Sequence, residues 1–516
     1  MRKLLTFESD VEQRVRFVEE TDPDTIVQQT IDALGGGTSP TDLLTASTLA
    51  VVRSTEIPPQ HHGGPLHPVC GVRATSRIAE RLGGQAGWLP VIQHVALANN
   101  HCHSMQMGPY LMPEITPQPG RPGDIGSFHV ADEAMSAGME EQMVSADEEI
   151  AATKGAFYKS LRAMEAPAAE HYFSWLVERV PAGDALDQLL PLAIARNGLD
   201  DHNFLYPVYT ARALDEIGWQ WAGVLFRPVV RCQARRAPRL IRNGYSFKDV
   251  QGLITDLKLL DADIPDQTNP GEMDAIAELG MRMGRSKNYL DNSEAMAHAL
   301  AAGLSLEGAG QALSIGTAAA YLSTSYGNPM DSHLHTGTNN RRHLLTLPGV
   351  SIEHKLLALM TAFTGPEVLL AERLLNWEDN LEPAASARLP ARDEGSLLAA
   401  IVESIEGQPW LDWRKIGVAQ TIAPDSVKET VALARQYADL AYNPERYFNC
   451  LAEIACRDDF TEMHCVKHFQ AIVDEYYTTP APHRWLHLVA AGKSAAIGHL
   501  GREHTIYDQA RSLLAA

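Results

Sequence analysis

The chain is short of positive charge. Its 516 residues carry 43 Lys and Arg against 64 Asp and Glu, a formal net charge of −21. Phosphate backbones are recognised by clustered cations, so a nucleic-acid partner is not expected. Cysteine is scarce as well: six residues and no CxxC pair fit thiols in a reducing cytoplasm, not a disulfide framework or a haem attachment site. Long apolar runs are missing. The longest charge-free stretch, 82–113, is interrupted by Gly, Gln, Asn, His and Pro, so no membrane span is expected. The opening MRKLLTFESD is too short in apolar residues for a secretory signal. Sustained apolar–polar alternation is absent too, which leaves no sheet to place.

What is present is helical periodicity. Residues 132–180 are rich in Ala, Glu, Met, Leu and Lys, with apolar positions recurring at three and four. Stretches 189–195, 247–260, 273–283, 293–301, 354–363, 367–377 and 426–442 read the same way. Gly35–Gly37 reads as a helix end and Ser39–Pro40–Thr41–Asp42 as a helix start. The expected fold is all-α: a large helical array or α/α toroid-like domain built from His-led helical repeats. Residues 261–272 are polar and carry two prolines, which suggests an N-terminal half over 1–260 and a C-terminal half over 273–516 of one compact body. Segment 104–128 is too rich in Pro and Gly for a helix and is expected to be a long loop or lid.

The repeat is centred on histidine. The segment from His67 aligns without a gap on that from His202, matching Thr75 with Thr210, Arg77 with Arg212, Gly83 with Gly218 and Gln85 with Gln220. His333 and His464 follow at intervals of about 130 residues, as in repeat architectures. Equal spacing of histidine-led helices suggests units closing into a ring that aims four imidazoles at one centre. Neutral imidazole ligates transition metals and, near neutral pH, moves protons.

Other histidines form candidate clusters. His61, His62 and His67 lie on one side of a helical segment containing His94; His101, Cys102 and His103 lie on the other. The stretch from Asp331 to Arg342 gathers a carboxylate, His333, His335, Thr336, Asn339, Asn340, Arg341 and Arg342, and could supply a two-His-one-carboxylate iron set. His464 with His468, and His483 with His487, are spaced as pairs on one helical face. For each cluster the plain alternative is a set of core or capping histidines. There is no HExxH, GxSxG or P-loop pattern, and no dinucleotide fingerprint.

The same segments resemble the questin oxidase-like family. His202…Arg212 is similar to its H-x9-R motif, His333-x-x-Thr336…Arg342 to its H-x-x-T motif with a later Arg, and His464-x-x-Lys467 to its H-x-x-K motif. His67, Ala74 and Leu82–Gly83 resemble its early His helix. Tyr206 and Tyr209 stand where the family tends to carry Arg and His. The resemblance implies an oxygenase-type oxidoreductase acting on an aromatic or polyketide-like small molecule, with NADPH as a reductant.

Together these readings put the catalytic residues at His67, His202, His333, His464, Arg212 and Arg342, the arginines serving as oxyanion partners. Substrate-binding residues are expected at Tyr206, Tyr209, Arg77 and Lys467. Iron or another transition metal is expected among His62, His67, His202, His333, His335 and His464. A helical-repeat scaffold with structural histidines, and a metal-dependent lyase or hydrolase, are the alternatives. An acidic helical surface fits a monomer or a homodimer alike.

Overall fold

The computed structural model describes residues 3–56, 66–107, 110–121, 145–197, 201–235, 247–286, 289–325, 333–362, 375–381, 389–390, 392–409, 422–458, 461–500 and 504–516. These residues are helical with no strand among them; isolated bridges join Leu4 to Pro113 and Thr324 to Leu375. None of their helices is long and apolar enough to cross a membrane. All-α is the fold class.

Local chemistry sets the helix ends much as the residues suggest. Ser39 accepts the backbone N–H of Asp42 and starts Pro40–Ser54; the helix before it closes at Gly35, and Gly37 takes a left-handed φ of 98°. The expected 132–180 helix is described as Ala146–Ala163 and Ala166–Val177, parted at left-handed Met164. Residues 367–374 of the stretch expected over 367–377 lie outside the described residues. Leu375 and Trp377, at its end, are not helical.

Four helices form the centre: Leu66–Leu82, His202–Ile217, His333–Thr346 and His464–Thr478. The His67 helix packs on the His202 helix, that on the His333 helix, that on the His464 helix, and the last returns to the first. All four place a histidine in the first turn, and those histidines meet, so the helices run parallel. Flanking helices shield them from solvent. One of these, Leu306–Ser323, is buried along nearly its whole length, as expected of an element enclosed on all sides. Each half of the chain, 1–260 and 273–516, supplies two of the central helices.

The described part of the 104–128 segment runs along the N-terminal edge. Met112 and Tyr110 donate backbone N–H groups to the Arg53 and Ser54 carbonyls, and Gly120 donates to the Thr153 hydroxyl. These residues do not line the central cavity, and residues 108–109 and 122–128 fall outside the described set.

Candidate metal centre

His67, His202, His333 and His464 are each at most 4% exposed. Nε2 of His202 lies 3.5 Å from Nε2 of His67 and 3.3 Å from Nε2 of His333. One ligand nitrogen from each of His67, His202 and His464 lies within 4.8 Å of the others. The His464 ring is 4.7 Å from that of His67 and 5.2 Å from that of His333, centroid to centroid. Two imidazole nitrogens on a tetrahedral ion at about 2.05 Å stand about 3.3 Å apart, so the spacing is that of a ligand set.

Backbone geometry aims these rings. His202 follows Asp201, held in the left-handed region at φ 59°, and His464 follows Glu462 and Met463 at φ 52° and 68°. Such values cost a non-glycine residue energy and are kept only where the surroundings enforce them. For Asp201 the enforcement is visible. Arg341, almost wholly buried, grips its carboxylate in a fork at 2.5 and 2.9 Å, and Asn197 donates to the same group. Burial alone would raise the Asp201 pKa, but the charge and hydrogen bonds of Arg341 outweigh it and hold the carboxyl below its usual value. Gly337 makes the approach feasible, since a Cβ there would lie 2.5 Å from the Asp201 carboxylate. The pair therefore ties the start of the His202 helix to the middle of the His333 helix.

Tautomers follow from the outer contacts. Nδ1 of His464 lies 2.5 Å from the Thr461 carbonyl oxygen, which can only accept, so Nδ1 carries the proton and Nε2 keeps its lone pair. Nδ1 of His67 meets the Glu462 carboxylate in the same way, leaving its Nε2 toward His202. Carboxylate–histidine pairs of this kind fix ring orientation and raise ligand basicity at metal sites. Burial, with Lys467 and the neighbouring rings, keeps His464 neutral far below its usual range. Neutral is the form that ligates. The variant Glu462→Gln is expected to bind Co(II) roughly 10–100-fold more weakly than the parent, read by spectral titration. Equal affinities would remove Glu462 from this role.

Around the rings lie Cys70, Leu205, Tyr206, Tyr209, Thr336 and Lys467, enclosing a cavity of ≈ 10 Å³, room for about one water-sized body. Tyr206 stacks on His202 at 5.1 Å with planes 6° apart. Burial depresses the Lys467 ammonium and pushes the Cys70 thiol up to about 12. Cys70, one turn on from His67, was not singled out in the sequence; a first-turn His followed by a small residue three positions later is its only signal.

Several expected site residues lie elsewhere. His335 belongs to a second cluster. Its Nδ1 is 3.0 Å from Nε2 of His468, whose Nδ1 is 3.0 Å from the Ser494 hydroxyl, and its ring is 5.7 Å from that of His487. The reason is helical geometry: residues two apart on a helix diverge by about 200°, so His333 and His335 face opposite ways. Arg77 bonds Glu80 and Glu216 at the partly exposed end of its helix. Arg212 and Arg342, ten and nine residues on from their helix-leading histidines, are about 15 Å along the axis from them and cannot meet an oxyanion at the rings. His61, His62 and Asp331 lie outside the described residues.

The second cluster and His94 bear on stability. Burial first, then nearby positive groups, lowers His94 and His468 to about 3; burial also takes His487 to about 4. In the unfolded chain each titrates near 6.5. Below that pH the unfolded state gains protons that the native state refuses. The stability is complete above pH 6.5 and drains as pH falls toward 4, by up to about 1.4 kcal/mol per pH unit for each histidine. Urea unfolding at pH 7, 6, 5 and 4.5 is expected to show that steepening loss; a flat profile would contradict the buried neutral rings.

Compared with family models, with curated proteins and with solved structures, the chain finds no match in any of the three.

Proposed function

We propose that this chain is a metal-dependent oxidoreductase, an oxygenase of small molecules, whose centre is held by His67, His202, His333 and His464. One observation carries the reading: a ring nitrogen from each of His67, His202 and His464, on three separate helices, lies within 4.8 Å of the others beside an ion-sized cavity that His333 also lines, and the outer nitrogens of His67 and His464 are engaged by acceptors.

The donor set narrows the metal. All-nitrogen coordination suits iron, copper, cobalt or zinc, and disfavours calcium and magnesium, which require oxygen. A bound iron or copper would supply redox chemistry toward dioxygen. The protein's own part is to hold the rings neutral, to fix their tautomers through Glu462 and the Thr461 carbonyl, and to keep bulk water out. Tyr206 and Tyr209 give the ion-sized cavity an aromatic wall beside the rings. An aromatic or polyketide-like substrate and an NADPH reductant rest on the family resemblance. We place the protein in the cytoplasm, where its six cysteines stay reduced.

A zinc-dependent lyase or hydrolase is the second reading, favoured by the fit of the nitrogen spacing to a tetrahedral ion. Oxygen uptake separates the two. The oxygenase reading predicts consumption of oxygen with phenolic substrates by iron- or copper-loaded protein, abolished by a chelator. Turnover without oxygen consumption, retained with zinc, would select the second reading.

A further inference from the structure

Arg212 and Arg342, expected at the histidine site, line a different cavity. It encloses ≈ 980 Å³ at the opposite, C-terminal end of the four central helices, about 15 Å along them from the rings. At that volume it matches the size of small-molecule sites. Each central helix contributes to its wall: Arg73, Arg212, His343 and Asp474 among others.

The lining carries Arg73, Arg212, Arg342 and Lys355 against Asp266, Glu307, Asp474 and Glu475, but the pairs are unevenly shared. Arg212, 5% exposed, donates to the Asn339 and Asn340 side-chain oxygens at 2.6 and 3.1 Å and to Asp474 at 3.2 Å. Arg73 uses the same Asp474 oxygen at 3.3 Å. Its other carboxylate, Glu216, is also shared with Arg77 and does not line the cavity. Two guanidiniums therefore divide one lining carboxylate, whereas Arg342 and Glu475 form their own pair at 2.6 Å. His343 lines the cavity with them, and its Nε2 has no hydrogen-bond partner among the described residues. Burial and the charges of Arg212 and Arg73 hold that ring neutral, so it offers a hydrogen bond without adding charge. Asp266 is exposed and marks the mouth, whereas Glu307 and Lys355 are half-buried like Arg73 and His343.

We infer that the base of this cavity, formed by Arg73, Arg212 and His343, is a binding site for an oxyanion, the carboxylate or phosphate group of a small molecule. Guanidiniums present paired donors that match either group, and an enclosed site strengthens the attraction. The site stands apart from the histidine centre and does not depend on a metal there.

Calorimetric titration of the full-length protein with inorganic phosphate, and separately with succinate, tests it. Saturable binding of one of them with a Kd below about 1 mM at low salt is expected, weakening as salt screens the charge. The tighter of the two identifies the source of the oxyanion. Arg73→Gln and His343→Leu are each expected to weaken binding about 10-fold or more, with unfolding midpoints close to the parent's. His343→Leu keeps the test open should Arg73→Gln fold poorly. No saturable binding of either anion up to about 10 mM, or binding unchanged in both variants, would overturn the inference.

Discussion

His202→Ala is expected to abolish stoichiometric metal binding while the helical fold persists. His202 is the hub: its Nε2 lies 3.5 Å from Nε2 of His67 and 3.3 Å from Nε2 of His333. Removing it takes away one nitrogen donor and opens the cavity to solvent beside Tyr206, which loses the ring it stacks on. A transition-metal site that loses one of its few nitrogen donors loses affinity by orders of magnitude. His335→Ala serves as the comparison. That ring stands two residues on from His333, in the same first turn but in the other cluster, so metal content should stay at the parent value. Elemental analysis of the two variants beside the parent separates them; equal losses would mean that the rings matter only for packing.

The second large effect is structural. Arg341→Met leaves the Asp201 carboxylate buried with its charge uncompensated, next to the residue that aims His202. Breaking a buried pair from one side costs about 3–5 kcal/mol. The guanidinium also donates to the Ala358 and Thr361 carbonyls and lies 4.4 Å from the Phe204 ring, so further partners are lost with it. The double variant Asp201→Asn with Arg341→Met is expected to recover part of that loss, because no naked charge remains. Urea denaturation of the single and double variants reads both numbers. A single variant within about 1 kcal/mol of the parent would show that the pair does not fasten the two helices.

How much of this was legible follows from the kind of signal involved. The four leading histidines could be read because a helix start is marked locally and their spacing is a property of chain order alone. The helix breaks near Gly35 and Ser39 were legible for the same reason. Partnership across the ring was not. Glu462 and Asp201 act through left-handed backbone and through residues on distant helices, and nothing in a single sequence pairs Asp201 with Arg341 or His67 with Glu462. The assignment of His335 beside His333 failed because adjacency in sequence was taken for adjacency in space, which a helix reverses at a step of two. Placing Arg212 and Arg342 with the histidines failed through rise: ten residues on a helix carry a side chain to the other end of the bundle.

The most direct measurement is X-ray absorption on the protein as purified without chelator, alongside its metal content. The account predicts about one iron, copper, cobalt or zinc ion per chain, with three or four nitrogen neighbours at roughly 2.0–2.1 Å and the outer-shell pattern of imidazole rings. Protein devoid of stoichiometric metal even after loading, or an ion surrounded by oxygen or sulfur, would contradict it.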